Sequence, residues 1–309
     1  MPLHFDSKEF GNRRNRLLEL MAGSELDGML IFRQESMFYL TGYDSFGYVF
    51  FQCLFLGGDG KLILLTRVPD LRQAQNTSIV EDIRIWVDGP EVNPALQLKE
   101  ILREYGYAGK KLGVEYDSYG LTAKNGKMLD SALDGFCELI DASGMVNRLR
   151  VVKSPEELVY VRKAAELADD ALDEAHRLVK VGCDEGELLA AMQGAVFRGG
   201  GDYPGNEFII GSGENALLCR YFSGRRKLDP EDQITLEWAG AYRHYHAAMM
   251  RTIPVGRVTD QHQRMFEVCL ESMEACQKAL RPGNAIGEVF DAYASTCDSS
   301  GMRDHRLNA

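Results

Sequence analysis

Residues 148–164 read RLRVVKSPEELVYVRKA and mark the start of a helix in the middle of the chain. Ser154 can cap the free backbone amides, Pro155 suits the first helical turn, and Glu157 can complete a capping box. Apolar residues then recur at helical spacing to about residue 179. This helix start predicts a division of the chain near residue 150.

The half that follows predicts helices packed on one face of an antiparallel sheet. Asp184 can cap a further helix, which the glycines at 199–201 end. The remaining predicted elements are strands at 208–210, 234–238 and 242–255, and helices at 261–280 and 286–297. We assign residues 148–309 to an α+β domain.

The preceding half alternates short apolar runs with amphipathic stretches, as a mixed sheet with helices on its faces requires. Gly57-Gly58-Asp59-Gly60 lies between two such runs and predicts a hairpin turn. The predicted strands are 28–32, 48–56, 61–66, 83–87 and 111–114, and the predicted helices are 8–21, 94–105 and 121–133. Residues 1–147 are assigned to an α/β domain.

Composition narrows the classes of protein. The 309 residues are 45% hydrophobic and 26% charged, and 35 Lys plus Arg against 46 Asp plus Glu give a net charge of -11, so neither nucleic acid nor a membrane is an expected partner. The longest apolar stretch, 48–56, is far short of the about 20 residues that span a bilayer. The first residues lack a secretory signal, which predicts a cytoplasmic protein. The seven scattered cysteines predict buried, reduced thiols.

Three ordered segments carry a family resemblance. They are 13–20 followed by FYLTG at 38–42, the quoted stretch 148–164, and 237–252, which ends in MMRT. Together they resemble the creatinase and Xaa-Pro aminopeptidase family. The resemblance implies two domains, an N-terminal creatinase-like α/β domain and a C-terminal α+β pita-bread domain, in a homodimer. It also implies that the pita-bread domain is incomplete, because the family fold would continue beyond Ala309.

The family's peptidases bind divalent metal through an Asp, a second Asp eleven residues on, and later His and Glu residues. The resemblance places the first position at Glu237 and the second at Ala248, which offers no ligand atom. We therefore expect no metal and no other cofactor. A divalent metal site that uses His244 or His246 stays an alternative.

Glu237, His244 and His246 are the candidate catalytic residues. On a strand that begins at Tyr242, the two histidines and Ala248 would share one face, and a carboxylate with imidazoles can exchange protons at neutral pH. The alternatives are a solvated strand-end carboxylate and histidines whose nitrogens are satisfied by the backbone.

Arg220 and Tyr221 are the candidate substrate-binding residues of the second half. The resemblance places Arg220 where the family has a functional histidine, and a guanidinium there can hold a substrate carboxylate through two hydrogen bonds. A surface arginine is the alternative. By resemblance, Phe46 and Tyr48 could reach the partner subunit's site and cover a small cationic ring, although ordinary packing is equally compatible.

Residues 236–252, LEWAGAYRHYHAAMMRT, are most similar to the ectoine hydrolases among the members of the family. The resemblance implies a hydrolase that opens a small cyclic amidine, ectoine, to N-acetyl-2,4-diaminobutyrate. The alternatives are a metal-dependent Xaa-Pro aminopeptidase, a creatinase-like C–N hydrolase and a non-catalytic binding module.

Overall fold

The computed structural model describes residues 3–218 and 226–306. The chain separates into two compact units, Met1–Glu156 and Glu157–Ala309. Within the described residues, no helix combines the length and the apolar composition needed to cross a bilayer.

The first unit is built on a six-stranded mixed sheet with the strand order β4-β3-β2-β1-β5-β6. Its strands are β1 (Gly28–Ile31), β2 (Cys53–Gly57), β3 (Leu62–Arg67), β4 (Asp82–Trp86), β5 (Lys111–Val114) and β6 (Glu138–Asp141). Its helices are α1 (Ser7–Gly23), α2 (Gln34–Thr41), α3 (Leu71–Thr77), α4 (Pro94–Glu104), α5 (Ala123–Leu133) and α6 (Met145–Val151). The predicted α/β class is confirmed.

Alternate residues of the central strands enter two separate cores, one on each face of this sheet. Leu30 of β1 packs in a core with residues of α4 and α5, whereas its neighbour Ile31 packs in a core with residues of α1, α2 and α6. This alternation follows from strand geometry, in which successive side chains point to opposite faces. Because both faces are covered, the strands consist of nearly continuous apolar runs.

The second unit has a three-stranded antiparallel sheet with the order β7-β8-β9. Its elements are α7 (Pro155–Leu178), α8 (Glu185–Arg198), β7 (Ile209–Ser212), β8 (Asp232–Tyr242), β9 (Tyr245–Val255), α9 (Asp260–Ala279) and α10 (Ile286–Ser299). Trp238 of β8 is buried, and its indole Nε1 donates a hydrogen bond of 3.0 Å to the Ala168 carbonyl of α7. The α+β class predicted for this half is confirmed.

Two predicted strands have different boundaries in the structure. The stretch 48–56 is extended only from Cys53, because Gly47–Val49 forms a 3-10 turn. The strand predicted over 242–255 is wrong at its start, since β8 runs on to Tyr242 and the chain reverses at Arg243 and His244 before β9 begins. Both turn residues have left-handed backbone angles, with φ of 51° and 65°.

The prediction of buried thiols holds for Cys53, Cys183 and Cys297, whereas Cys269 is exposed. Cys137 and Cys276 are partly buried, and Cys219 lies outside the described residues. Cys269 lies on α9, whose buried residues are Val268 and Ser272.

Candidate functional site

One face of the β7–β8–β9 sheet is packed and the opposite face is open. Leu236 and Trp238 point to the packed side, where they join the core formed with α7 and α8. The alternate residues of β8, which begin with Thr235 and Glu237, point to the other side, which we call the open face. Its members on β8 and β9 are the cross-strand pairs Thr235–Thr252, Glu237–Met250, Ala239–Ala248 and Ala241–His246.

Glu237 is the one carboxylate among these open-face residues, and it is partly exposed. Ile209 of β7 lies on one side of it and Met250 of β9 on the other. No hydrogen-bond partner of the Glu237 carboxylate lies within residues 3–218 and 226–306. The neighbouring cross-strand pairs of Glu237 on the open face are Ala239–Ala248 on one side and Thr235–Thr252 on the other.

Two segments border the open face. On the β7 side, the 3-10 helix Gly213–Leu217 folds so closely over Gly211 that a Cβ there would lie 2.5 Å from the Asn215 carbonyl oxygen. At the hairpin end, the Asp202 amide donates to the Ala241 carbonyl at 2.9 Å, and the Asp202 carboxylate accepts from the His244 amide at 3.1 Å. The open face is thus bounded at the β7 edge and at the hairpin end.

The structure separates the three candidate catalytic residues. His244 is a turn residue, so the predicted common strand face for His244, His246 and Ala248 is wrong. His246 does share the face of Glu237, but it lies four residues along β9 from Met250, the partner of Glu237, which is about 13 Å at ordinary strand rise. A direct hydrogen bond between Glu237 and His246 is therefore excluded in this arrangement.

Backbone groups bind both ring nitrogens of His246. The Gly205 amide donates to Nε2 at 2.8 Å, and Nδ1 lies 2.9 Å from the His244 carbonyl oxygen. Since an amide donates and a carbonyl accepts, this geometry fits a neutral ring with its proton on Nδ1. This is the arrangement of the alternative prediction, in which the backbone satisfies the imidazole.

The residues of the open face do not fit the metal centre of the family's peptidases. A pair of hard divalent ions needs several carboxylate oxygens, and Ala239 and Ala248 flank Glu237 with methyl groups instead. The ring nitrogens of His246 already have partners. In the part of the chain that the structure describes, no group of three or more potential ligand side chains is placed to hold a metal ion.

The remaining candidates lie away from this floor. Arg220 and Tyr221 fall outside the described residues. Phe46 and Tyr48 belong to the first unit, where their rings meet edge to face at 6.0 Å and Phe46 is 82% exposed. An aromatic side chain so exposed is available to a partner or ligand.

A buried polar network on the packed side was not predicted from the sequence. The buried Glu185 carboxylate accepts from the Ser212 amide at 3.0 Å and from the Ser212 hydroxyl at 2.6 Å, and Arg226 binds both Ser212 and Asp232. The pKa of Asp232 lies below its ordinary value: burial acts to raise it, and hydrogen bonds from Asp229 and Arg226 outweigh that effect. The network ties Arg226 to the end of β7 and to the start of β8.

Family models match both halves of the chain. Residues 159–308 match the metallopeptidase family M24, and residues 13–152 match the creatinase/prolidase N-terminal domain. Among curated proteins, the chain is 27% identical to the ectoine hydrolase of Halomonas elongata, over 97% of this chain and 79% of that protein. It is 28% identical to the Xaa-Pro aminopeptidase of Escherichia coli, over 91% of this chain and 70% of that protein.

Solved structures of similar fold include a dipeptidase from Pyrococcus horikoshii, with a TM-score of 0.83 and 24% identity over 96% of this chain and 80% of that one. A second is the Xaa-Pro dipeptidase from Bacillus anthracis, with a TM-score of 0.82 and 21% identity over 96% of this chain and 79% of that one. At these identities the likeness establishes the fold alone.

Proposed function

We propose that the chain hydrolyses a C–N bond in a small cyclic amidine, and the match of residues 159–308 to the metallopeptidase family M24 and of residues 13–152 to the creatinase/prolidase N-terminal domain supports a hydrolase. Ectoine is the leading candidate substrate, and N-acetyl-2,4-diaminobutyrate is the product. The similarity to an ectoine hydrolase supports this choice. The observation that carries it is the open face, where Glu237 is accompanied by Ala239 and Ala248 instead of further carboxylates.

The chemistry of an amidine suits such a floor. A protonated cyclic amidine is a planar cation whose two N–H donors point away from each other on either side of the amidine carbon, so a carboxylate can accept from one of them and pair with the positive charge. Two alanines beside Glu237 leave a flat, apolar surface on which a small ring can lie. Within residues 3–218 and 226–306, no hydrogen bond to the Glu237 carboxylate has to break when the ring binds.

In the proposed reaction, one water molecule is added to the amidine carbon. In one route Glu237 takes a proton from that water as it adds to the carbon, and one ring C–N bond then breaks. In the other route the Glu237 carboxylate bonds to the carbon and one ring C–N bond breaks, after which the water attacks the same carbon and the bond to Glu237 breaks, which restores the carboxylate. The departing nitrogen takes a proton, which leaves an amide and an amine. Arg220, with Tyr221 beside it, is proposed to hold the substrate carboxylate. Phe46 and Tyr48 are proposed to cover the ring from the partner subunit of a homodimer.

The first test is proton NMR of ectoine incubated with the protein, with and without a strong chelator. We expect ring opening that survives the chelator. Glu237→Gln is expected to lower kcat by about 10²- to 10⁴-fold, the range for the loss of a positioned proton-transfer group. The matched control is Glu231→Gln, at an exposed carboxylate just before β8, which is expected to leave turnover unchanged.

The second candidate function is that of a metal-dependent Xaa-Pro peptidase, which the similarity to Xaa-Pro peptidases supports. It would be favoured by cleavage of an Ala-Pro dipeptide in the presence of Mn²⁺ that a chelator abolishes. Full ectoine turnover in the Glu237→Gln variant would contradict the proposed mechanism. Absence of turnover on both substrates would favour a non-catalytic binding module.

A further inference from the structure

The segment 203–207, between Asp202 and the strand β7, has few attachments. Its residues are exposed except for Pro204, which is partly buried. Within the described parts of the chain, its one hydrogen bond runs from the Gly205 amide to Nε2 of His246, at 2.8 Å. The other contact is the Tyr203 ring, which meets Phe197 edge to face at 4.9 Å. Among the residues that the structure describes, a single imidazole nitrogen therefore holds this segment by a hydrogen bond.

The imidazole is itself held in place. Its Nδ1 lies 2.9 Å from the His244 carbonyl oxygen, a contact that requires the proton on Nδ1. The hydrogen bond from the Gly205 amide requires the lone pair on Nε2. Protonation of Nε2 would place a ring N–H opposite the Gly205 N–H. Two donors cannot form a hydrogen bond, so the attachment of the segment exists only with the neutral ring.

We propose that His246 is a positioning residue, which as a neutral imidazole latches the segment 203–207 over the hairpin end of the open face and on protonation releases it. The inference rests on the proposed function only in so far as the latched segment borders the substrate site. Because His246 and Glu237 are about 13 Å apart along the sheet, the latch acts on the shape of the site and not on the reacting atoms.

The charged or titratable groups near His246 lie on two elements, the incoming segment and the turn. On the incoming segment, the Asp202 carboxylate already accepts from the His244 amide, and Glu207 is exposed at the far end. In the turn, the Arg243 guanidinium lies over the Tyr160 and Tyr242 rings, 5.9 and 5.7 Å from their centroids. His244 is the other titratable turn residue. On β8, the partner of His246 is Ala241, which carries no charge.

The test is the amide-exchange protection factor of Gly205, measured without substrate at about pH 8 and about pH 5, on either side of the range in which imidazoles titrate. We expect the wild-type protection factor to fall about tenfold on acidification, as the loss of one hydrogen bond implies. Long-range ¹H–¹⁵N correlations should show the His246 proton on Nδ1 at the higher pH.

Two variants separate the latch from the fold. In His246→Gln the side-chain oxygen can replace Nε2 as acceptor but does not titrate, so Gly205 is expected to stay protected at both pH values. His246→Asn keeps a donor near the Nδ1 position but has no acceptor within reach of Gly205, so protection is expected to be absent at both. The control, His176→Gln on the exposed side of α7, is expected to behave as wild type.

Equal protection of Gly205 in the wild type at both pH values, or protection of Gly205 in His246→Asn at about pH 8, would overturn the latch. With ectoine as substrate, we expect His246→Asn to raise KM while kcat is retained, and His246→Gln to abolish the rise in KM at acid pH. If ectoine is not turned over but Gly205 behaves as expected, the proposed function fails and the latch stands.

Discussion

Glu115 shows how one buried carboxylate can replace a helix cap. Arg33, at the cap position of α2, provides no side-chain cap for the helix. Instead Glu115, just after β5, accepts hydrogen bonds from the Phe32 and Arg33 amides at 3.2 and 2.8 Å and from the Ser36 hydroxyl at 2.6 Å. Burial raises the pKa of Glu115 above its ordinary value of 4.5, while these hydrogen bonds act to lower it.

The raised pKa fixes the sign of a pH effect on stability. Between pH 4.5 and the higher folded-state pKa, the unfolded chain ionises at Glu115 while the folded chain retains the proton. The free energy of unfolding therefore falls as the pH rises through this range. Glu115→Gln, which cannot ionise, should lack this pH dependence in denaturant unfolding. At pH 7 we expect its free energy of unfolding to lie within about 1 kcal/mol of the wild type.

Glu115→Ala removes the acceptor altogether and is expected to lower the free energy of unfolding by about 2–3 kcal/mol, because two amides and a hydroxyl lose their partner. The control is Glu35→Gln, on the exposed side of the same helix end. Wild-type stability for Glu115→Ala would show that water replaces the cap.

Among the elements, β8 and α7 approach each other more closely than side chains would allow. A Cβ at Gly240 would lie 2.0 Å from the Ala164 carbonyl oxygen, which is backbone and cannot rotate away. Gly240 thus lets the sheet pack closely against α7, which lies on the face opposite the open face. The position of Glu237, three residues earlier on β8, depends on this contact.

Gly240→Ala is therefore expected to lower the free energy of unfolding of the second unit by about 1–3 kcal/mol, the cost of overpacking. The matched control is Gly287→Ala in α10, where a Cβ meets nothing within 4 Å, and it is expected to gain about 0.5–1 kcal/mol. Denaturant unfolding followed by Trp238 fluorescence, in a Trp86→Phe background because Trp86 of the first unit also fluoresces, measures both. A Gly240→Ala variant of wild-type stability would mean that the two elements can move apart at little cost.

The elements that sequence predicted are those whose signals are local. The glycines at 57–60 predicted the β2–β3 hairpin, and the antiparallel pairing confirms it. The β8–β9 turn was missed because Arg243 and His244 occupy left-handed positions that usually hold Gly or Asn. The helix α2 was not predicted because its cap is Glu115, which is distant in the sequence.

For the whole molecule, the motif around Glu237 predicted the sheet that holds it and the absence of a second carboxylate. It could not predict that His246 is bound by Gly205, since that contact joins segments 41 residues apart. The run GGGDYPG at 199–205 carried the only signal, a glycine that lets a backbone amide approach a side chain.

If the chain forms the proposed homodimer, the exposed Phe46 should contribute to substrate binding and not to stability. Because its ring is 82% exposed, Phe46→Ala should leave stability unchanged while it lowers kcat/KM for ectoine about 5- to 30-fold, the worth of an aromatic contact with a cation. Tyr119→Ala, at a side chain that is 93% exposed, is the control and should change neither.

If Phe46 covers the partner subunit's site, two defective variants should complement each other. A heterodimer of Glu237→Gln with Phe46→Ala has one site in which both residues are wild type, and random reassortment of equal amounts makes half of the dimers heterodimers. The mixture should therefore recover about a quarter of wild-type turnover. Activity equal to the mean of the two separate variants would show that Phe46 acts within its own chain or not at all.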